Sequence, residues 1–421
     1  MTALARIFKT PELRNGLLFI LGAVTIFRVV AHIPVPGIDA SGLEGLLAGN
    51  QFLGLLNVFS GGTLENFSIV ALGVAPYITA SIIFQLLGMI FPSVEEMQKE
   101  EQGRQKLNRY TRFATVPLAV LQGYSLVMLL TQQGVLNSGA LSTLEFVTAI
   151  GSMVAGTVFL MWLGELISER KLGNGISIMI FAGIVSAFPG FIAQTVATYT
   201  SADLINVIVF AALTVATVVS VVVISEAQRN LPVQYARGGR NQATKVVSTL
   251  PLRVNMGGMI PILFALSIIV LPPLVAQFFV NARTEVIRTI AVQTIALFGN
   301  SAFYALFYFA LVVTFTFFYA SVVFKPDQVA ENLQKQGGFI PGVRPGEPTA
   351  NYLQWVMNRL LLIGAVFLAT LAILPVLVQE FTGNVNLVVG GSSVLIVVSV
   401  VIDIVKQIDS QLTMRSYDDV V

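Results

Sequence analysis

The sequence predicts an all-α polytopic membrane protein of ten transmembrane helices, and three observations carry that prediction. Of 421 residues, 55% are hydrophobic and only 11% charged, less than half the roughly 25% charge that covers a soluble domain. Ten stretches approach the length of about 20 apolar residues that a hydrocarbon core about 30 Å thick demands of a helix. Nothing alternates at period two strongly enough for a barrel, and irregular backbone cannot face lipid. A cytosolic enzyme, a disordered chain and a nucleic-acid-binding domain are excluded. With no cysteine and one histidine, His32, there is no disulfide, thiolate nucleophile, Cys-based metal site or multi-histidine centre. No metal or cofactor is expected.

The spans fall near 17–36, 69–91, 113–132, 147–168, 176–197, 204–225, 257–276, 303–324, 360–378 and 386–405. The first is not a cleaved signal peptide, because it is long, carries Arg28 and His32, and lacks an A-x-A site. Between the first two spans, residues 57–68 read NVFSGGTLENFS. They are too polar to cross lipid and too apolar for an ordinary loop, and Pro76 follows near the start of a span. Either a broken helix folds back toward the bundle centre, where such backbone can be buried in protein, or the segment is an external surface loop. The fifth and tenth spans both open on glycine and serine, GNGISIMI from Gly173 and GGSSVLIV from Gly390. Five spans per half would make a duplication inverted in the membrane, although glycine is common in membrane helices anyway.

Charge placement sets the orientation. Of 24 Lys and Arg residues, 21 fall on one side of this ten-span scheme and only Arg283 and Arg288 on the other. Both termini are therefore expected in the cytoplasm. Ionisable groups within the spans are few: Glu165 and Asp403 near cytoplasmic ends, and Arg28 near a span's middle with His32 one turn on. Arg28 could bind anionic lipid, oppose a buried acid or face a water-filled vestibule, and His32 reads as a satisfied interfacial histidine. Without a deep acidic pair, an ion-driven carrier is disfavoured. Two basic cytoplasmic segments, 226–256 and 325–359, are each about 30 residues long and rich in glycine and proline turns, far longer than an ordinary connection. Arg237, Arg240 and Arg344 sit near their tips, where they could dock an anionic partner, ribosomal RNA included.

At these residues the chain closely resembles the SecY family, the central subunits of the bacterial protein-conducting channel. The resemblance runs end to end: FRVVAHIPVPGID at 27–39, NVFSGGTLENFSIVALGVAPYITASII at 57–83, MWLGELISERKLGNGISIMIFAGIV at 161–185, LPLRVNMGGMIPILFA at 250–265, GGFIPGVRPGEPTANYL at 337–353 and GGSSVLIVVSVVID at 390–403. It implies two inverted five-helix halves, 1–198 and 199–421, around a central hourglass pore. Residues 57–68 would be its plug, with Phe59, Ser60, Gly61, Gly62, Thr63, Leu64, Glu65, Asn66 and Phe67 at its heart. An aliphatic ring would close the waist: Val74 and Ile78 in GVAPYI, Ile176 and Ile180 in GNGISIMI, Leu263 in GMIPIL and Ile396 in SSVLI. The spacing of Val74 with Ile78, and of Ile176 with Ile180, independently puts each pair on one helical face. Apolar constrictions gate by dewetting.

The resemblance further implies a lateral gate, opening between the spans at 69–91 and 113–132 and those at 257–276 and 303–324, with Thr79 and Gln122 as breakable polar contacts. Signal sequences would leave through it into membrane lipids. Arg237, Arg240 and Arg344 would dock a motor or ribosome. The expected function is therefore passive conduction of unfolded secretory polypeptides in the cell inner membrane, not an enzymatic one. No GxxxxGK[ST] nucleotide motif occurs, so force would come from an ATPase such as SecA or from the ribosome, with SecE-like and SecG-like small subunits as partners. A secondary transporter and an intramembrane enzyme are the alternatives.

Overall fold

The computed structural model describes residues 10–36, 57, 60, 62–64, 66–132, 142–197, 204–235, 247–280, 282–382 and 390–418. Its helices are α1 Pro11–Ala31, α2 Ala75–Ile90, α3 Pro92–Lys99, α4 Glu101–Gln132, α5 Thr143–Glu169, α6 Gly175–Ala197, α7 Leu204–Glu226, α8 Ile260–Phe279, α9 Glu285–Gly299, α10 Ser301–Val323, α11 Pro326–Lys335, α12 Glu347–Thr382 and α13 Gly390–Asp418. Each of the ten apolar stretches coincides with one of them. Among the described residues, six helices are by themselves long and apolar enough to cross a membrane. A seventh span results if α2 and α3, bent by 111°, are taken together, and Gly175–Gly190 and Ala211–Glu226 form shorter apolar helices.

Helix starts follow local chemistry. Ser142 and Glu145 form a reciprocal capping box before α5, their bonds measuring 3.3 and 2.7 Å. Asn300 Oδ1 accepts the amides of Ala302 and Phe303 to open α10. At α6 the GNG sequence acts twice: Asn174 Oδ1 accepts from Ile176 and Ser177, and the Gly175 amide donates to Ser168 Oγ at 2.9 Å. Several helices outrun their apolar stretches. α4 begins at Glu101 because EQGRQKLNRYTR is rich in good helix formers.

The two basic segments, read from the sequence as loops with turns, are more ordered than that. β1 (Gln228–Tyr235) pairs antiparallel with β2 (Val247–Arg253), Leu231 opposite Leu250, and β3 (Gly338–Phe339) adds to the other edge. Leu231, Val233 and Leu252 share a small core with Leu333 and Ile340 and with Leu353 and Val356 of α12. The second segment therefore contains α11, β3 and the first turns of α12, and the two segments form one lobe.

The main core draws on α1, α2, α5, α6, α7, α8, α10, α12 and α13. α6 and α13, the helices with matching glycine starts, pack against each other. A second core holds Val35, Leu64, Phe67 and Leu72 against α4 and α5. There Gly156 of α5 allows the backbone of Ile69 to approach so closely that a Cβ would collide with its carbonyl oxygen. Gly156→Leu is expected to lower stability by about 1–3 kcal/mol, read as a lower midpoint of thermal unfolding in detergent. An unchanged midpoint would contradict this packing.

Candidate functional site

The six aliphatics expected at a waist all belong to the main core or pack against it. All lie within the first two turns of α2, α6, α8 and α13, with Val74 at the start of α2 and its carbonyl accepting the Ile78 amide at 3.1 Å. Val74, Ile78, Ile180, Leu263 and Ile396 are buried in the main core, and Ile176 is half-buried against it. Helices from both halves of the chain thus contribute their starts to one large apolar core.

Residues expected to form a plug lie beside that cluster, inside the protein. Ser60, Thr63, Leu64 and Phe67 are buried, while Asn66 is exposed; Phe59, Gly61 and Glu65 lie outside the described residues. Thr63 Oγ1 donates toward the carbonyls of Ser60 and Val70 at 3.0 and 2.8 Å, and Ser68 Oγ donates to the Thr63 carbonyl at 3.2 Å. The chain is stitched to residues 33–35: Val35 donates its amide to the Phe67 carbonyl, and Ile69 to that of Ile33, both at 3.0 Å. Gly62 adopts φ +76, a conformation that favours glycine. Its Cβ position faces the Gly183 carbonyl and Ala187 of α6 at 3.8 and 4.0 Å. Gly183 follows Ile180 by almost one turn, so this segment meets α6 next to the waist.

The seam between α8 and the pair α2 and α4 is closed. Thr79 and Gln122 are buried, but their 3.5 Å contact joins α2 to α4 on one flank. The bond that crosses comes from Ser125 of α4, whose Oγ donates to the Leu274 carbonyl of α8 at 3.1 Å. Next to it, the rings of Tyr124 and Phe278 stack at 4.6 Å. Neither crossing contact was identified from the sequence, since the partners are about 150 residues apart with no local signal. A small apolar cavity lined by Leu64, Leu72, Ala75, Gln122, Leu126 and Leu274 lies where the plug segment adjoins this seam.

Ionic contacts lie at the margins. Glu95 of α3 accepts from Lys99 at 3.0 Å and from Lys325, just past α10, at 3.5 Å. First Lys99 and then Lys325 hold its carboxyl below the ordinary 4.5, so this contact persists at neutral pH and is lost as acid protonates Glu95. Arg112 holds Glu165 at 2.7 Å. His32 Nδ1 and the Arg28 carbonyl lie 2.8 Å apart, and the Arg28 guanidinium lies 5.7 Å from the Phe27 ring centroid. Arg344 is exposed between Gly342 and Gly346, both at positive φ, and its carbonyl accepts from Thr349 Oγ1 at 2.8 Å. Arg237 and Arg240 lie outside the described residues. Removing both contacts across the seam, with Ser125→Ala and Phe278→Ala together, should weaken it by about 1–2 kcal/mol. Distances between spin labels on α4 and α8 should then show a new, longer population that single variants show less; an unaltered distribution would mean that these contacts do not hold the seam.

The family model described as SecY matches residues 68–405. A protein translocase subunit SecY from Streptomyces coelicolor is 41% identical, covering 99% of both chains. Among solved structures, a protein-conducting channel superposes with a TM-score of 0.64 at 17% identity, covering 93% of this chain and 90% of that one. Sec61 from the canine ribosome–channel complex of the endoplasmic reticulum gives 0.62 at 16%, with the same coverage. At those identities the structures speak for the fold, and the sequence match over nearly every residue speaks for descent. The apolar helices, the shared architecture and the full-length match make this chain a multi-pass membrane protein of the SecY family.

Proposed function

We propose that the chain is the channel subunit of a protein translocase, conducting unfolded secretory polypeptides across the cell inner membrane and releasing hydrophobic segments sideways into lipid. The observation that carries this reading is the junction of a dry aliphatic waist with a closed, weakly bonded seam. Val74, Ile78, Ile176, Ile180, Leu263 and Ile396 form the waist, water is unfavourable there, and ions meet a barrier that an extended polypeptide can fill. The two halves, 1–198 and 199–421, meet at that waist. The segment at 57–68 seals it while no substrate is present, with its buried residues against α4, α5 and α6. The gate lies between α2 and α4 on one side and α8 and α10 on the other, and Thr79 with Gln122 stiffens its N-terminal flank.

Both termini and the lobe built from β1, β2, β3 and α11 face the cytoplasm, following the charge asymmetry. That lobe docks the driving partner, an ATPase motor or the ribosome, through Arg344 and through Arg237 and Arg240, which lie between β1 and β2 in the sequence. The solved relative in complex with a ribosome supports this assignment, as does the exposure of Arg344 at the end of a rigid turn. Small SecE-like and SecG-like subunits complete the assembly. A carrier is the weaker reading, because Glu165 is already held by Arg112 rather than free to exchange an ion.

Two measurements test the assignment. In reconstituted vesicles, Ile78→Gly with Ile180→Gly should raise resting ion conductance by at least about tenfold, the effect of roughly 1.4 kcal/mol off the barrier; unaltered conductance would remove these residues from the seal. Arg344→Glu should insert normally yet abolish most motor- or ribosome-driven precursor import, and undiminished import would refute its docking role.

A further inference from the structure

Helix α9 has 15 residues, about 22 Å at 1.5 Å per residue, too short to cross a core about 30 Å thick. It connects the C-terminal end of α8 to the start of α10 and packs on both. Its inner face is Ala291, Thr294, Ile295 and Phe298, with the Phe298 ring edge-on to Phe303 and Phe307 of α10 at 5.4 and 5.5 Å. Beside that face runs a second apolar stripe that the protein leaves open: Val286, Ile290 and Leu297 are 66%, 58% and 52% exposed. Their helical positions fall within a narrow arc, with Gln293 at its edge and Thr289 and Glu285 further round the helix. Arg283 and Arg288 are exposed at the N-terminal end, and neither is in an ion pair among the described residues. They are also the two basic residues that the charge count leaves on this side of the membrane.

What covers the stripe follows from where the helix sits. α8 ends with Val275 and Phe279 exposed, and α10 begins with Leu306 exposed, so lipid-facing surface of two spanning helices adjoins α9 at this end. Amphipathic helices with basic residues bordering an apolar face lie in the headgroup boundary, where acyl chains take the apolar side and anionic phosphates the cations. We propose that α9 is an interfacial helix whose Val286–Ile290–Leu297 stripe is immersed in the acyl-chain boundary and whose Arg283 and Arg288 bind an anionic phospholipid headgroup. The proposal does not depend on the channel reading.

The natural sequence lacks cysteine, so single cysteines at Ile290, Leu297, Glu285 and Thr289 of the full chain can each carry an environment-sensitive fluorophore. The host membranes are phosphatidylcholine vesicles, with or without phosphatidylglycerol. Probes at Ile290 and Leu297 should be quenched by bromine on lipid acyl chains, at a depth of about 5–10 Å, and those at Glu285 and Thr289 by iodide in the water. Brominated phosphatidylglycerol should quench Ile290 more strongly than brominated phosphatidylcholine. Arg283→Gln with Arg288→Gln should reduce that preference by about fivefold per charge removed, and added inorganic phosphate should leave it unaltered. Equal iodide quenching at Ile290 and Glu285 would overturn the proposal by placing the stripe in water. Protection from both quenchers would overturn it in favour of a protein cover, either a partner or a second copy. A phosphatidylglycerol preference that survives loss of both arginines, or that free phosphate abolishes, would overturn the headgroup site.

Discussion

Backbone that leaves a helix at membrane depth has no water to bond, so its amides and carbonyls must find partners in protein. That constraint organises the centre of this molecule. Among the described residues between α1 and α2, the non-helical backbone at 33–35 and 66–69 finds partners inside the protein. Phe67 and Ile33 offer carbonyls to Val35 and Ile69, and the Thr63 hydroxyl reaches back to Val70. α2 begins in the protein interior, with Val74 and Ile78 buried in the main core. The starts of α6 and α8 are pinned by local chemistry: Asn174 and Ser168 at α6, and the positive φ of Gly258 with Pro261 at α8. The aliphatic ring proposed for the waist would thus be the product of four helix beginnings.

Apolar length is a one-dimensional signal, which is why all ten apolar stretches fall on helices, six of which, among the described residues, are by themselves long and apolar enough to cross a membrane. The motif resemblance marked the six waist residues, but periodicity alone could not separate them from dozens of equally greasy neighbours. Partners across the fold were not legible. Thr79 and Gln122 stood out as polar residues in apolar helices, yet only the fold shows that they bond each other on one flank. Ser125 to Leu274, the bond that crosses, joins a side chain to a backbone carbonyl, and a carbonyl has no residue signature at all. β1 was missed because QRNLPVQY carries a proline and a mostly exposed, polar first half, and its strandedness comes from pairing with β2. α9 was missed because its apolar residues serve two faces at once, which blurs the usual single-stripe pattern.

The waist and the seam differ in the medium their opening would admit, and this decides which is soft. Parting the waist without a substrate would expose buried aliphatics to water, at about 25 cal/mol for each Å2 uncovered. Parting α8 from α2 and α4 toward the bilayer exposes the same kind of side chain to lipid tails that are equally apolar, so no hydrophobic term opposes it. What remains is packing, one hydroxyl-to-carbonyl bond of about 0.6 kcal/mol and one stacked ring pair of about 0.5–1.5 kcal/mol. A hydrophobic segment entering the seam can supply replacement packing for the side chains it separates. A polar solute offers none, and at the waist it must also be stripped of water. The same aliphatic chemistry therefore makes a barrier along the axis and a yielding joint at the side, the difference being set by which solvent waits beyond it.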